Sequence, residues 1–292
     1  MQAVSAKHAP SVTGMAEKLD RKTSGAISAS ALSRVRTVSW NRAADRPAIS
    51  CVPEETAIAL TYNGTTHAVM MASPGDLEDY AYGFSLTEGH IGDPGEINSI
   101  DIVEFDEGID LRIWLEQDAA SGFRERRRRI AGPTGCGLCG IESLSEAVPA
   151  PRKVTGEDVF AAAAIMAAQQ DLFSAQLLHL ETRAVHAAGL WRPGEGLVAI
   201  REDVGRHNAL DKLAGAVMRD GGDGHGGMLM LTSRVSVEMV QKAAVLGCPV
   251  IVAVSAPTAL AVRIADKAGI TVVASAKNGG FEVFTHPRRI AF

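Results

Sequence analysis

The chain has 292 residues, of which 46% are hydrophobic and 22% charged, so it can bury a core in one large domain or two ordinary ones. Its net charge of −5 argues against a general affinity for nucleic acid, because such affinity depends on Lys and Arg neutralising phosphates. Apolar runs such as 159–168 and 250–254 fall well short of the roughly 20 residues that cross a bilayer. We therefore predict a soluble protein without a membrane or nucleic-acid partner.

The chain contains four cysteines, which are too few for a disulfide scaffold in a protein with this much apolar material. Residues 1–25 lack the apolar core of a secretory signal, so nothing marks the chain for an oxidising compartment. We predict a cytoplasmic location and reduced thiols. Cys51 and Cys248 lie beside apolar residues or at a strand start, and we interpret both as inert.

Residues 1–48 are rich in Ser, Ala, Lys and Arg without sustained periodicity, and they predict a flexible tail. The folded part is expected to start near Ala48. From 49 to 150 the pattern predicts a smaller α+β portion that is rich in hairpins and ends in a cysteine loop. Its first hairpin, within 57–72, turns at Asn63-Gly64, and its second spans 100–115.

A helix is predicted between the two hairpins, with Ser73 as its N-cap, Pro74 at its first position and Gly89 at its end. A further helix is predicted over 159–170 because Thr155 and Asp158 form a capping-box pattern just before it.

Residues 151–292 predict an α/β domain. Strand candidates alternate with helix candidates there, and continuous apolar strands in such an order indicate a mainly parallel sheet covered on both faces. The strand candidates are 197–200, 228–231, 250–255 and 271–274, and the helix candidates are 208–218, 235–246 and 259–268. Gly247 and Gly269 stand where C-terminal helix caps belong.

The strongest local signal is the pair Cys136 and Cys139, set among four glycines between 132 and 140. A glycine-rich loop presents sulfur with little steric shielding, and its backbone N–H groups can stabilise a thiolate. A CxxC pair serves three functions: half of a zinc site, a dithiol redox couple, or a persulfide carrier. Zinc would need two further ligands, for which His186 and His207 are candidates. A redox role fits less well, because Pro149 and Pro151 follow where a helix is expected.

Four consecutive arginines, Arg126 to Arg129, precede the cysteine loop. A charge run of this kind is often a solvated strand end or linker. Guanidinium groups this close to Cys136 would also lower its pKa or hold the phosphates of an anionic ligand. Both interpretations remain open from the residues.

Polar loops follow three consecutive strand candidates, at 201–208, 232–234 and 255–258. Ligand crevices in open parallel sheets lie beyond the carboxyl ends of the strands, so the sequence predicts a ligand site at this edge. The same hydroxyls could instead be ordinary helix caps. The candidate ligand contacts are Arg206, His207, Asn208 and Arg234. His186, among small apolar residues, is interpreted as a core histidine.

Several of these segments, in this order, resemble the FdhD family of sulfurtransferases, which assist the maturation of formate dehydrogenase. The resemblance extends from about Ala57 to the C-terminus. It rests on the segments 70–78, 83–89, 135–140, 202–212, 233–236 and 255–258. Ordered agreement over this length is much more specific than the CxxC pair.

The resemblance implies a sulfur carrier that takes sulfur from a cysteine desulfurase and transfers it to the molybdenum cofactor, a bis(molybdopterin guanine dinucleotide). The cofactor is the substrate, so no permanently bound cofactor and no metal site is expected. The persulfide maps to Cys136, with Cys139 as a supporting thiol. Formate dehydrogenase is the expected client, and a homodimer is the expected assembly. The alternatives are a non-catalytic cofactor chaperone and a CxxC zinc protein.

The resemblance also implies a fold similar to that of the cytidine deaminases, a three-layer α/β sandwich. Deaminases bind zinc through a His-x-Glu that precedes Pro-Cys-x-x-Cys. In this chain no proline precedes Cys136 directly and no His-x-Glu lies upstream, so the deaminase chemistry does not carry over.

The family's cofactor-binding stretch matches Ser275, Ala276, Lys277, Asn278, Gly279 and Gly280. Relatives usually have an aromatic residue followed by Arg-Gly-Gly-Arg. In this chain Lys277 occupies the position of the first arginine and Gly280 that of the second. One expected phosphate contact is therefore missing. The arginine run 126–129 could compensate for it.

Overall fold

The computed structural model describes residues 31–41, 44–116, 151–277 and 279–292. The elements of the N-terminal part are β1 Leu32–Asn41, β2 Ala44–Pro53, β3 Thr56–Tyr62, β4 Thr65–Ala72, α1 Leu77–Thr87, a 3₁₀ turn at Pro94–Glu96, β5 Ile97–Phe105 and β6 Gly108–Leu115. None of the helices in these described ranges is long and apolar enough to cross a membrane.

The elements of the C-terminal part begin with β7 Phe160–Ala161, α2 Ala162–Ala175, α3 Leu177–Thr182, β8 His186–Arg192, β9 Gly196–Asp203, α4 Arg206–Met218 and β10 Met228–Leu231. They continue with α5 Val237–Leu246, β11 Val250–Ala253, α6 Ala259–Ala268, β12 Thr271–Lys277, β13 Gly280–Val283, a 3₁₀ turn at Pro287–Arg289 and β14 Ile290–Ala291.

Strands β1 and β2 pair antiparallel from Leu32↔Pro53 to Asn41↔Ala44 and form a two-stranded ribbon. The prediction of a flexible tail up to residue 48 is therefore wrong for the described part of that segment. The prediction failed because a ribbon with polar residues on both faces shows no apolar alternation in its sequence. Residues 1–30 lie outside the described residues, and the boundary at 150 stays a prediction.

The first hairpin is confirmed: Asn63 (φ 46°) and Gly64 (φ 77°) join β3 to β4. The second hairpin joins β5 to β6, and β3 pairs parallel with β6 to give the strand order β4-β3-β6-β5. Apolar side chains from β3 and β6 form one buried cluster with Tyr80 and Phe84 of α1. Helix α1 therefore covers one face of this four-stranded sheet.

The predicted cap of α1 is wrong. The helix begins at Leu77, and Asp76, in a left-handed conformation (φ 52°), is its N-cap. Ser73 is buried, its N–H donates to the Asp203 carboxylate at 3.0 Å, and its Oγ accepts from the Val204 N–H at 3.2 Å. The hydroxyl oxygen that the local pattern assigned to capping is therefore used in a long-range contact. Gly89 follows the end of the helix with φ 71°, as expected.

The larger sheet is mixed, with strand order β13-β12-β11-β10-β8-β9. Strands β10, β11 and β12 are parallel, whereas β8, β9 and β13 run antiparallel to the strands they pair with. Leu229 and Leu231 pack in a cluster with residues of α4, α5 and α6, and Met228 and Met230 pack in another with residues of α2. Helices thus cover both faces, which confirms the mixed α/β class.

The C-terminal helix ends are confirmed, since Gly247 (φ 75°) and Gly269 (φ 76°) are left-handed C-caps. The start of α2 differs from the prediction by three residues. Phe160 and Ala161 pair in parallel with Ile290 and Ala291, and this short ladder holds the chain extended where the capping-box pattern favoured a helix.

Helices α1 and α4 approach closely through two glycines. A Cβ on Gly83 would lie 1.7 Å from the Asp211 carbonyl oxygen, and one on Gly215 would lie 1.8 Å from that of Asp79. Side chains larger than hydrogen therefore cannot occupy these positions without separating the helices. This contact joins the four-stranded sheet to the larger one.

Candidate functional site

The polar loops predicted to share one sheet edge do share it. Strand β8 is antiparallel to both β9 and β10, so β9 and β10 end on the same side. Thr232 after β10 donates its N–H to Ala187 at 3.2 Å, and Val235 bridges to Pro257 after β11. We call this edge the rim: the segments 204–207, 232–236, 255–258, 275–277 and 279–280.

Residues 275–277 and 279–280 lie at the rim because β12 is parallel to β11. Ser275 donates its N–H to the Ser255 carbonyl at 3.2 Å, and its φ of 54° turns the chain out of the regular strand. The predicted cofactor-binding stretch and the predicted polar loops therefore form one continuous surface.

Helices α4, α5 and α6 all begin at the rim, with Gly205, Ser236 and Thr258 as their N-caps. A helix N-terminus carries a partial positive charge and unpaired backbone N–H groups. Three such ends along one edge favour a negatively charged ligand, provided side chains complete the site.

Three polar side-chain atoms at the rim are buried and have no hydrogen-bond partner among the described residues: Arg206 Nε, His207 Nε2 and Ser236 Oγ. His207 Nε2 lies 4.0 Å from the Glu238 carboxylate, beyond hydrogen-bond distance. Burial, reinforced by Arg206 and Lys242, lowers the pKa of His207 to about 4, so its imidazole is neutral at physiological pH. A neutral imidazole can donate or accept one hydrogen bond to a ligand.

The other predicted contacts differ in accessibility. Arg234, Lys277, Gly279 and Gly280 are exposed at the rim. Ala276 is fully buried, so its side chain cannot reach a ligand. Asn278, the arginine run 126–129 and the catalytic candidates Cys136 and Cys139 lie outside the described residues.

A second set of polar residues lies behind the rim and is paired, and all of its members except the exposed Glu88 are buried. We call this set the seam: Ser73, Asp79, Tyr80, Glu88, Arg201, Asp203, Asn208, Asp211, Lys212 and Lys242. Its centre is Lys212, fully buried, whose Nζ lies 2.6 Å from Asp203 Oδ2 and 2.8 Å from the Ser73 carbonyl. Desolvation of both charges is offset by these short contacts.

Asn208 completes the centre of the seam and was misinterpreted as a ligand contact. Its amide nitrogen donates to the Met71 carbonyl at 2.8 Å and to Asp203 Oδ1 at 3.0 Å, and its oxygen accepts from Tyr80 at 3.0 Å. With 3% of its surface exposed, Asn208 has no atom available to a ligand at the rim.

Two further ion-pair groups flank that centre. Arg201 contacts Asp79 at 2.6 Å, joining β9 to α1. Lys242 of α5 lies 2.7 Å from Asp211 of α4 and 2.6 Å from Glu88 at the end of α1. Burial lowers the pKa of Lys242, but the carboxylates of Asp211 and Glu88 outweigh burial and raise it. The proton therefore stays on Lys242, and the cluster ties three helices together.

Sequence reasoning missed the role of Asp203, Lys212 and Lys242. The available signal was the position of Lys242, which has Met239 and Leu246 at helical spacing, where a solvated lysine is not expected. A lysine at such a position predicts a buried carboxylate partner, but its identity depends on the tertiary packing.

Burial decides the interpretation of His186 and Cys248. His186 is half-buried at the start of β8, opposite Asp203, and burial lowers its pKa. Cys248 is fully buried, and burial raises the pKa of its thiol to about 12, which supports its interpretation as inert. Within the described ranges, no three His, Cys, Asp or Glu side chains are arranged to hold a metal ion.

The chain is similar to known proteins over most of its length. The model of the FdhD/NarQ family matches residues 53–291. The sulfur carrier protein FdhD of Agrobacterium fabrum is 55% identical over 246 residues, covering 82% of this chain and 89% of its own length. That of Brucella abortus is 53% identical over 240 residues, with the same shares covered.

A solved structure is similar over most of the chain. It is the crystal structure of a chain described as a formate dehydrogenase accessory protein from Desulfotalea psychrophila. It superposes with a TM-score of 0.69 at 25% sequence identity and covers 89% of this chain and 99% of its own. The overall fold described above is thus shared with an experimental structure.

Proposed function

The chain belongs to the FdhD/NarQ family, and on that premise we propose that it is a cytoplasmic sulfur carrier required for formate dehydrogenase activity. The observation that carries this proposal is the match over 239 of the 292 residues, from 53 to 291, to a family whose curated members are named sulfur carriers. The matched stretch includes Cys136 and Cys139.

In the proposed reaction, the Cys136 thiolate attacks the outer sulfur of a persulfide on a cysteine desulfurase. A new S–S bond forms at Cys136, the S–S bond of the donor breaks, and the donor cysteine leaves as a thiolate. The chain is then a sulfurtransferase with a Cys136 persulfide as intermediate. Cys139 supports the transfer as a neighbouring thiol.

The molybdenum cofactor, bis(molybdopterin guanine dinucleotide), is the proposed acceptor and is a substrate rather than a resident group. The rim suits its phosphates, because three helix N-termini, Arg206 and the exposed Arg234 and Lys277 supply positive charge there. The backbone at Gly279 (φ 81°) leaves room for a ligand to approach closely.

The three layers of the larger domain, with helices on both faces of a mixed sheet, are the arrangement expected for a cytidine-deaminase-like sandwich. The proposed partners are a cysteine desulfurase and formate dehydrogenase, and the proposed assembly is a homodimer.

The test is the Cys136→Ala variant in cells that lack the parent gene. The variant is expected to leave formate dehydrogenase inactive while its own expression and circular dichroism match those of the parent. Full formate dehydrogenase activity with Cys136→Ala would contradict sulfur carriage and favour a chaperone that only holds the cofactor. Metal analysis of the purified parent tests the zinc alternative, which predicts about one tightly bound zinc per chain.

A further inference from the structure

Gln169 of α2 contacts the backbone of the 275–280 stretch from the face of the sheet opposite α4. Its side chain is 5% exposed, and its Nε2 donates to the Ala276 carbonyl. The other buried residues of α2 are the apolar Ile165, Ala168 and Leu172. Burying a primary amide among apolar side chains costs free energy unless the amide is hydrogen-bonded. The bond to the Ala276 carbonyl therefore accounts for the burial of Gln169.

The carbonyl that Gln169 binds lies in a β-bulge. Ala274 pairs with Glu282 and Lys277 with Gly280, which leaves Ser275 and Ala276 opposite the single residue Phe281. A bulge interrupts the ladder and leaves backbone groups without their regular partners. It also turns the chain, as the φ of 54° at Ser275 shows.

We propose that Gln169 is a positioning residue for ligand binding at the rim: by holding the Ala276 carbonyl, it fixes the bulge that presents Lys277 and Gly279–Gly280. A strand has a two-residue repeat, so loss of the bulge would shift one side of the β12–β13 pair by one residue and reverse the face of its side chains. The inference rests on the cofactor site of the proposed function.

The test compares three variants of the full-length protein. Gln169→Leu removes the donor at nearly constant volume. Gln169→Glu keeps the shape, and a carboxyl buried at this position is expected to be protonated and able to donate. Gln170→Leu is the matched control, because Gln170 is the exposed neighbour on the same helix. The ligand probe is guanosine diphosphate, which carries the nucleotide portion of the proposed substrate.

Gln169→Leu is expected to weaken guanosine diphosphate binding by about tenfold, the equivalent of one lost hydrogen bond. Gln169→Glu should restore most of the affinity, and Gln170→Leu should leave it unchanged. Amide hydrogen exchange over 271–277 and 279–283 should become faster in Gln169→Leu. Persulfide loading from a desulfurase should be unaffected, whereas general destabilisation would lower both binding and loading.

The outcomes separate the two proposals. Unchanged binding and unchanged exchange in Gln169→Leu, with a parent that binds guanosine diphosphate, would overturn the positioning role and leave the proposed function intact. A parent that accepts persulfide sulfur but binds no guanosine diphosphate would overturn this inference together with the cofactor site. If Gln169→Leu does not fold, Gln169→Met replaces it, because methionine fills the same volume without a donor.

Discussion

Residues 201–212 supply side chains to both the seam and the rim. In the seam, Asp203 and Lys212 are wholly buried and each contacts several partners. In the rim, Arg206 and His207 come from the same stretch, yet each has a buried nitrogen without a hydrogen-bond partner among the described residues. Polar groups that are hydrogen-bonded within the fold hold its elements together. Buried polar groups without such a partner at an edge can instead form hydrogen bonds with a ligand.

We expect substitutions in the seam to lower stability at neutral pH, and substitutions in the rim to change binding or, at His207, the pH dependence of stability. The largest effect is expected for Lys212→Met. It leaves the Asp203 carboxylate buried without its cation, and breaking such a pair costs about 3–5 kcal/mol. Urea unfolding measures the loss.

Lys277→Met, in the exposed rim, is the control for Lys212→Met and should unfold like the parent. The double variant Asp203→Asn, Lys212→Met should recover part of the loss, because no unpaired charge remains. An unchanged unfolding midpoint for Lys212→Met would contradict the seam as described.

The next largest effect is expected for Gly215→Ala. Its Cβ would meet the Asp79 carbonyl oxygen, so α1 and α4 must separate at a cost of about 1–3 kcal/mol. Gly75→Ala is the control, because no atom lies within 4 Å of the added Cβ. If both variants unfold alike, the close helix contact does not exist in solution.

A pH-dependent effect of similar size is expected at His207 in the rim. Burial lowers the pKa of His207 from 6.5 to about 4, so between these values the unfolded chain binds a proton that the folded chain does not. Stability from this residue is therefore complete above the unfolded pKa and falls as the pH drops, by about 2 kcal/mol from pH 7 to about 5.

His207→Gln should remove this part of the pH dependence, which urea unfolding at the two pH values detects as a difference between parent and variant. A variant with the same pH dependence as the parent would show that His207 is solvated rather than buried.

The smallest effect is expected for Lys277→Arg, which replaces an exposed ammonium group at the rim by a guanidinium group. A guanidinium can bind phosphate oxygens in a bidentate manner, so guanosine diphosphate should bind about threefold more tightly with stability unchanged. Weaker binding would place Lys277 outside the ligand contact surface.

Local patterns predicted the elements whose signals are local. Asn63-Gly64 gave the hairpin, continuous apolar runs gave the central strands, and Gly247 and Gly269 gave the helix ends. Errors occurred where a distant contact competes with the local pattern. Ser73 Oγ accepts from the Val204 N–H instead of capping α1, and β14 holds Phe160 extended ahead of α2.

The same distinction holds for the candidate site. Loop order along the chain was enough to predict that the rim residues share one edge, because parallel strands end together. The assignment of Asn208 to the ligand was wrong because its partners, Met71 and Tyr80, come from a distant part of the chain. The burial of Gln169 could not be predicted from the sequence, since a glutamine in a helix is ordinarily a surface residue.

The proposed sulfur carriage is tested most directly by the intact mass of the full-length protein after incubation with a cysteine desulfurase and cysteine. Sulfur carriage by Cys136 predicts a gain of the mass of one sulfur atom in the parent and in Cys139→Ala, reversible by a thiol reductant, and no gain in Cys136→Ala. An equal gain in Cys136→Ala, or none in the parent, would contradict it.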